Sequence, residues 1–224
     1  MYRTEEQWIQ CYEKKTALWM HDGNIRRPHA ILASLKHSGG FFNSELVMED
    51  AALLAEACSN ILHKLERAGL VLSEVDRVVG PAMGAITIAH EIARQISEGT
   101  GHRCLRAYPI KVDDRTDHKT MRFDKTTIKK GERVLGCEDV STTKKSIMLA
   151  MDAVTSLGGI ILPFTAMLVN RSGFDDVNGS KIIALITQHL PTWEAEECPL
   201  CKAGSEAIAE VKKPANWARL TAAY

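Results

Sequence analysis

The most informative segment of the chain reads Arg133-Val-Leu-Gly-Cys-Glu-Asp-Val-Ser-Thr-Thr-Lys-Lys-Ser146. Its apolar first part, Arg133 to Cys137, predicts a buried strand. The polar residues from Glu138 to Ser146 predict a loop, and the periodic residues from Ser146 to Leu157 predict a helix that follows this loop directly. Gly158-Gly159 breaks that helix. The segment therefore predicts one strand, loop and helix unit with many polar side chains where the strand ends.

The same order of elements recurs on both sides of this segment. A strand at Val75–Val79 precedes a helix through Ile86 to Ile96, and further strands are predicted at 104–110, 160–169 and 182–187. Strands that alternate with helices of this length are typical of crossover units. The sequence therefore predicts an α/β fold in which helices cover both faces of a Rossmann-like parallel sheet.

The N-terminal third predicts two further helices and a strand pair. Thr4 with Gln7 resembles a capping box, and it opens a helix predicted to carry Trp8, Ile9, Tyr12, Thr16 and Trp19 on one side. The segment 29–43 predicts a strand, a loop and a second strand. A helix begins near Glu49, and Gly69 is placed to end it in the left-handed conformation.

Composition narrows the class of protein. The chain has 224 residues with 28 Lys and Arg, 28 Asp and Glu, and 45% hydrophobic residues. A net charge of zero argues against a nucleic-acid partner. The longest apolar segment, Gly158 to Val169, contains Pro163 and is shorter than the roughly 20 residues of a membrane helix, so we expect no membrane association. The N-terminus lacks the order of charges of a secretory signal, which predicts a cytoplasmic location with reduced cysteines.

Two loops at predicted strand ends are candidates for chemistry. The loop Gly80-Pro81-Ala82-Met83-Gly84-Ala85 leads into a helix, whose N-terminus can hold an anion, although a tight turn without a ligand explains the same residues. In the second loop, the neighbouring acids Glu138 and Asp139 repel each other unless a cation or donor hydroxyls lie between them. The hydroxyl residues that follow can hold a phosphate or simply cap the helix. Together these features suit a phosphorylated sugar, and the spacing excludes a Walker-type loop.

These residues carry a resemblance to a known family. The run Glu138 to Thr143 resembles the phosphoribosyl-pyrophosphate signature of the type I phosphoribosyltransferases, and Gly80 to Gly84 resembles their pyrophosphate loop. Within that superfamily the chain is most similar to the orotate phosphoribosyltransferases, because residues 30–43 resemble their N-terminal hood and residues 169–173 resemble their base-binding strand end. The segment 198–204 resembles a tail found in one branch. The resemblance covers roughly residues 29 to 213.

The resemblance implies a fold, an activity and a set of site residues. It implies a type I phosphoribosyltransferase fold with an N-terminal helix and hood at 1–47, a core at 48–190 and a C-terminal tail at 191–224. The implied reaction joins a nucleobase, most closely orotate, to phosphoribosyl pyrophosphate with Mg²⁺ as cofactor, in a homodimer. The implied ligands of phosphoribosyl pyrophosphate are Gly80, Pro81, Ala82, Met83, Gly84, Glu138, Asp139, Val140, Ser141, Thr142, Thr143, Lys144, Lys145 and Ser146. The implied base contacts are Lys36, Phe41, Phe42, Thr142 and Arg171.

The remaining implied roles are catalytic and metal-binding. Glu138 and Asp139 are expected to hold the ribose hydroxyls directly or through Mg²⁺. The charged segment between Lys111 and Lys130 is expected to close over the reaction. The implied catalytic residues are Lys111, His118, Lys119 and Asp139.

The sequence also departs from the family pattern. Lys144-Lys145 stands where the family has glycines, so the side chains could crowd the 5-phosphate or assist its binding. Ala33 stands where some members have a base-contacting lysine, with Lys36 nearby. Two alternatives therefore stay open: a binding or regulatory protein on the same fold that lacks turnover, and a transferase for a base other than orotate.

One cysteine motif lies outside this pattern. Cys198-x-x-Cys201 has the spacing of half a zinc site, but no second pair occurs among Cys11, Cys58, Cys104 and Cys137. Pro199 and Gly204 lie nearby. The sequence therefore favours a tight turn that packs the C-terminal segment, rather than a structural zinc site. The histidines at 29, 37, 63, 90 and 189 are expected at helix caps or on the surface.

Overall fold

The computed structural model describes residues 2–112 and 120–224. The chain folds as two compact units. The core unit contains Met48–Gln188 together with the N-terminal residues up to Glu5, and the hood unit contains Glu6–Val47 and His189–Tyr224.

The elements are numbered in chain order. The helices are α1 (Glu5–Lys14), α2 (Glu45–Met48), α3 (Ala51–Ala68), α4 (Ile86–Thr100), α5 (Lys145–Ser156), α6 (Pro199–Lys202) and α7 (Pro214–Thr221). The strands are β1 (Leu18–Met20), β2 (His29–Ile31), β3 (His37–Ser38), β4 (Gly40–Phe42), β5 (Arg77–Val79), β6 (Leu105–Ala107), β7 (Ile110–Val112), β8 (Thr120–Arg122), β9 (Arg133–Ser141), β10 (Ile160–Asn170), β11 (Asp176–Val177), β12 (Ser180–Thr187), β13 (Thr192–Trp193) and β14 (Ala207–Ile208).

A six-stranded sheet organises the core unit. Its strand order is β11-β12-β10-β9-β5-β6, and every pair is parallel except β11 with β12, which is a short antiparallel edge. The longest strands, β9 and β10, lie at its centre. The predicted α/β fold with a parallel sheet is confirmed, and the antiparallel edge strand β11 is an addition that the sequence did not predict.

Helices cover both faces of this sheet, as two consecutive residues of β9 show. A Cβ at Gly136 would contact Sδ of Met151 in α5 at 3.1 Å, whereas Sγ of Cys137 lies 3.9 Å from the carbonyl oxygen of Ala85 at the start of α4. Successive residues of a strand point to opposite faces. Therefore α5 lies on one face and α4 on the other, where α4 also contacts α3.

The bounds of several elements differ from those predicted. The strand predicted at 104–110 is two strands, β6 in the six-stranded sheet and β7 in a separate pair with β8. Helix α1 ends at Lys14, and Thr16 adopts a left-handed φ of 52°, so Thr16 and Trp19 are not on the helix. Trp19 instead lies in β1 opposite Phe41 of β4. In the core unit, β9 continues to Ser141, so Glu138 to Ser141 belong to the strand and not to the predicted loop. The left-handed end of α3 at Gly69, with φ 105°, is confirmed.

The hood unit contains two small sheets. One is the antiparallel pair β1-β4, and the other has the order β13-β3-β2-β14. The second sheet combines two strands from the N-terminal part of the chain with two from the C-terminal part. Trp19, Ala30, Val211, Trp217 and Leu220 form an apolar cluster in this unit.

Two strands of an antiparallel pair, β7 and β8, lie in the first part of the charged segment. Strand β7 pairs with β8, with Lys111 opposite Met121. The predicted site residues His118 and Lys119 lie outside the described residues. In the part of the chain that the structure describes, no helix is both long enough and apolar enough to cross a membrane.

Candidate active site

Two buried acids lie near the carboxyl end of the central strand β9. The side chains of Glu138 and Asp139 are 7% and 9% exposed. Burial, followed by the charge of Asp139, raises the pKa of Glu138 well above its ordinary value, while the charge of Lys111 opposes this shift. A bound cation or a pair of hydroxyl donors would relieve this repulsion. The pair is therefore an oxygen-rich site that favours one of those two kinds of ligand.

The loop after β5 lies against one of these acids. A Cβ at Gly84 would be 2.9 Å from Cγ of Asp139, so only glycine lets the loop backbone approach the carboxylate this closely. Gly80 has a similar constraint, because a Cβ there would lie 2.6 Å from the carbonyl oxygen of Ala85. Pro81 is buried, Ala82 is partly exposed and Met83 is 83% exposed. The peptide bond between Ala82 and Met83 is cis.

The hydroxyl-rich segment forms the turn between β9 and α5. Ser141 is the last residue of β9, and its Oγ is buried without a hydrogen-bond partner among the described residues. Thr142 and Ser146 are partly exposed, and Thr143 is exposed. Helix α5 begins at Lys145, and the N–H groups of its first turn have no acceptors within the helix. The segment therefore presents hydroxyls and backbone donors at a positive helix end, which suits an anion.

Lys144 has a backbone conformation that glycine adopts more readily than other residues. Its φ is 61° and its ψ is −8°, which is the left-handed region. Its side chain is bound elsewhere: Nζ donates to the carbonyl oxygen of Asp176 at 3.0 Å and lies 4.1 Å from the centroid of the Phe174 ring. In this conformation the ammonium of Lys144 is held by the segment after β10. Lys145, at the start of α5, is exposed.

The partners of Lys144 are residues that the sequence reasoning missed. Phe174 and Asp176 follow β10, and neither lies in a motif that marks a site. Asn170 shapes the same turn, because its Nδ2 donates to the carbonyl oxygen of Phe174 at 2.8 Å and its Oδ1 accepts from the N–H of Ser172. The only available signal was the asparagine at a predicted strand end, which is typical of such turns.

Arg171 lies beside the turn between β9 and α5. Its backbone N–H donates to the carbonyl oxygen of Ser141 at 3.0 Å, which joins the ends of β9 and β10. The residue is 2% exposed, and burial lowers the pKa of its guanidinium to about 10. The side chain remains charged near neutral pH, so it is a desolvated cation at the same edge of the sheet as the acids.

Lys111 lies in β7, and its side chain is exposed. Its charge acts on Glu138, as the pKa of that acid shows. The charges of two predicted catalytic residues, Lys111 and Asp139, therefore both act on Glu138.

The predicted base contacts Lys36, Phe41 and Phe42 belong to the hood unit. Nζ of Lys36 lies 2.8 Å from Oε1 of Glu194. Phe41 packs edge-on against Trp217 with 5.8 Å between centroids, and Phe42, 1% exposed, packs edge-on against Tyr12 at 5.5 Å. A contact of these three side chains with a base stays a prediction.

No protein-family model matches the chain. Curated proteins do match it over nearly their whole length. An orotate phosphoribosyltransferase of Heliobacterium modesticaldum is 34% identical over 205 residues, which cover 92% of this chain and 96% of that protein. The orotate phosphoribosyltransferase of Acidithiobacillus ferrooxidans is 31% identical over 199 residues, which cover 88% of this chain and 94% of that protein.

Solved structures show the same fold. The crystal structure of orotate phosphoribosyltransferase from Aeropyrum pernix matches with a TM-score of 0.60 and 20% identity, covering 80% of this chain and 92% of that chain. A phosphoribosyltransferase from Corynebacterium diphtheriae matches with a TM-score of 0.56 and 16% identity, covering 82% and 95%. Since relatives above 30% identity cover most of the chain, the chain belongs to the orotate phosphoribosyltransferase family.

Proposed function

We propose that the protein transfers the phosphoribosyl group of phosphoribosyl pyrophosphate to orotate and releases pyrophosphate. One observation carries this proposal. The buried acids Glu138 and Asp139 lie near the end of β9, just before the turn 141–146, which we call the phosphate turn. Lys144 in this turn has a left-handed backbone. The reason to suspect a protein without turnover was crowding by the Lys144 side chain, and its ammonium is bound to Asp176 instead.

The acids bind the sugar. Carboxylate oxygens of Glu138 and Asp139 accept hydrogen bonds from the ribose 2- and 3-hydroxyls. The hydroxyl of Ser141, buried without a partner among the described residues, and the N–H groups at the start of α5 bind the 5-phosphate. These contacts fix the anomeric carbon relative to the base, and positioning of this kind lowers the barrier.

Mg²⁺ fits this site. Its preferred ligands are oxygens. Burial and the neighbouring charge of Asp139 raise the pKa of Glu138, and a cation would offset the charge of this pair. Glu138 and Asp139 would hold the ion directly or through water. When bound, Mg²⁺ supplies positive charge that offsets the negative charge developing on the pyrophosphate.

The loop Gly80–Gly84 and Lys111 act on the leaving group. Because Gly84 lacks a side chain, the loop backbone is close to the acid that holds the sugar. Backbone N–H groups of the loop donate to pyrophosphate, and Lys111 adds a positive charge as negative charge builds up. His118 and Lys119 are proposed to join Lys111 when their segment closes over the reactants.

Arg171 selects the base. Orotate carries a carboxylate, and a guanidinium can bind a carboxylate with two parallel hydrogen bonds. Because Arg171 is buried, the contact forms with little competition from water. Uracil lacks that carboxylate, so binding of uracil leaves the cation without its partner. Thr142, Lys36, Phe41 and Phe42 are proposed to complete the base site.

The test is an assay with purified protein, Mg²⁺, phosphoribosyl pyrophosphate and one base at a time. We expect consumption of orotate with release of one pyrophosphate for each orotate consumed, and little turnover with uracil, adenine or hypoxanthine. Asp139→Asn should abolish turnover while leaving the unfolding temperature close to that of wild type. Binding of phosphoribosyl pyrophosphate without turnover with any base would identify a binding protein, and faster turnover with another base would refute the assignment of orotate.

We further propose a homodimer in the cytoplasm, because the charged segment after β7 is expected to reach the site of a neighbouring subunit. A molar mass from light scattering at micromolar concentration would test this, with a monomer that retains full activity as the contradicting outcome.

A further inference from the structure

Four potential metal ligands from distant parts of the sequence meet in the hood unit. They are His29 in β2, His37 in β3, Cys198 just before α6 and Cys201 within it. One ligand atom from each lies within 4.8 Å of every other. His29 and Cys198 are 0% exposed and His37 is 7% exposed. The expectation that both histidines lie at caps or on the surface is therefore wrong.

The distances within this cluster are those of a tetrahedral site. Nε2 of His29 lies 3.0 Å from Nδ1 of His37, 3.6 Å from Sγ of Cys198 and 3.4 Å from Sγ of Cys201. Sγ of Cys201 lies 3.2 Å from Nδ1 of His37. Zinc bonds of about 2.0 Å to nitrogen and 2.3 Å to sulfur give tetrahedron edges of roughly 3.3 Å between nitrogens and 3.5 Å between nitrogen and sulfur. A single ion at the centre would therefore contact all four atoms after small adjustments.

Hydrogen bonds fix the tautomer of His29 in the form that binds a metal. The hydroxyl of Ser205 donates to the carbonyl oxygen of Arg27 at 2.7 Å, so its Oγ accepts from Nδ1–H of His29 at 2.9 Å. The proton therefore lies on Nδ1, and the lone pair of Nε2 faces the cluster. A second hydrogen bond of this kind is typical of histidines that bind metals.

Hydrogen bonding within the cluster does not account for the arrangement. The two thiols and the ring of His37 surround one lone pair on His29, and that lone pair can accept one good hydrogen bond. A cation at the centre would use the lone pairs of both rings and both sulfurs at once. Two thiolates and two imidazoles are a donor set that suits Zn²⁺.

We propose that His29, His37, Cys198 and Cys201 form a structural zinc site. All four positions of the tetrahedron are filled by protein atoms, so the site has no open position for a substrate. The ligands join the strand pair β2–β3 to a tail that is 169 residues away in sequence at Cys198. The ion would stabilise the hood unit by fixing the tail on the N-terminal strands, in the manner of a cross-link.

The first test uses the wild-type protein, purified without a metal-binding tag and dialysed against a weak chelator. Elemental analysis should find about one zinc per chain. X-ray absorption at the zinc edge should show two sulfur and two nitrogen neighbours. Replacement of zinc by Co²⁺ should produce visible absorption bands typical of tetrahedral thiolate coordination. A chain isolated without metal that fails to bind either ion overturns the proposal, and so does freshly isolated protein with a Cys198–Cys201 disulfide.

Variants localise the site. Cys201→Ser should lose the metal and lower the unfolding temperature. Cys11→Ser, which changes a buried cysteine of the same unit outside the cluster, should retain the metal. Ser205→Ala should lower the affinity for Zn²⁺ by about 10-fold, because His29 loses the acceptor that fixes its tautomer. Equal zinc content in Cys201→Ser and wild type overturns the proposal. If Cys201→Ser does not fold, the measurements on the wild-type chain decide.

Discussion

The backbone of Gly84 lies directly against the carboxylate of Asp139. A Cβ at position 84 would be 2.9 Å from both Cγ and Oδ2 of Asp139, closer than ordinary packing allows. Gly84 belongs to the loop after β5, and Asp139 belongs to the neighbouring strand β9. The loop proposed to bind pyrophosphate and the acid proposed to bind ribose are therefore held in one arrangement.

Gly84→Ala is expected to lower kcat/KM for phosphoribosyl pyrophosphate by about 100-fold, because the added methyl group must displace the loop or the carboxylate by a fraction of an ångström or more. Steady-state kinetics with orotate at saturation would measure this. Gly99→Ala is the matched control, since a Cβ at Gly99 has nothing within 4 Å. A Gly84→Ala enzyme with wild-type kinetics would show that the close approach has no role in the reaction.

The backbone of Lys144 is expected to matter more than its charge. Lys144→Gly keeps access to the left-handed region, so the KM for phosphoribosyl pyrophosphate should change by less than about threefold. Lys144→Val places a β-branched residue at φ 61°, which should cost about 1–2 kcal/mol of stability and raise that KM. Kinetics and thermal unfolding of both variants test this. If Lys144→Gly raised the KM tenfold or more, the ammonium itself would bind the phosphate.

Arg171→Lys is expected to raise the KM for orotate about 10- to 100-fold, because a lysine cannot make the two parallel bonds to a carboxylate. The KM for phosphoribosyl pyrophosphate should stay within about threefold of wild type. Comparison of the two KM values therefore distinguishes the loss of a base contact from a general defect of the enzyme. Arg94→Lys, at a side chain that is 41% exposed on α4, provides the control. Equal increases for both substrates would argue that Arg171 acts by holding the turn after β10.

Asp76 gives the core unit a pH-dependent stability. Hydrogen bonds from Arg133 lower the pKa of Asp76 from 3.8 to about 2. A carboxylate with a lowered pKa stabilises the folded state above pH 3.8, and this contribution disappears as the pH falls towards 2. Asp76→Asn should therefore reduce the free energy of unfolding by roughly 2 kcal/mol at neutral pH.

Denaturant unfolding of wild type and Asp76→Asn between pH 7 and pH 2 would measure the difference at each pH. The two proteins should converge at the acid end. Glu98→Gln removes one partner of an exposed ion pair, on a side chain that is 65% exposed, and should change stability by less than about 0.5 kcal/mol at every pH. A constant difference between wild type and Asp76→Asn would show that ionisation of Asp76 is not its cause.

The order of helices and strands in the core unit was predictable from the sequence, because its apolar segments have clear periods and are separated by glycines. The residue at which β9 ends was not predictable from the sequence pattern. Glu138 and Asp139 are polar and were assigned to a loop, but β9 has neighbours on both sides, and its pairing with β10 continues to Ser141 opposite Asn170. Tertiary pairing thus extended a strand that local composition would have ended.

The phosphate turn and the cysteine cluster show a second limit of prediction from sequence, which concerns contacts between distant segments. The sequence identified Lys144 as a departure from glycine, but its ammonium donates to the carbonyl oxygen of Asp176 in β11. Likewise Cys198 and Cys201 marked half of a metal site, while its histidines come from paired strands in the first part of the chain. Such partners are fixed by the strand register between distant segments, and local sequence patterns do not reveal that register.

The discontinuity of the hood unit sets an order of events during synthesis. Most of the core unit is one continuous run, Met48–Gln188, which leaves the ribosome before any residue of the C-terminal tail. In the four-stranded sheet, β2 and β3 are made before the core unit, whereas their outer neighbours β14 and β13 are made after it. Until β13 and β14 have been made, both outer edges of that early strand pair lack the neighbours of the finished sheet, and unpaired edges invite association with other chains. The C-terminal tail therefore completes the sheet that the N-terminal strands begin.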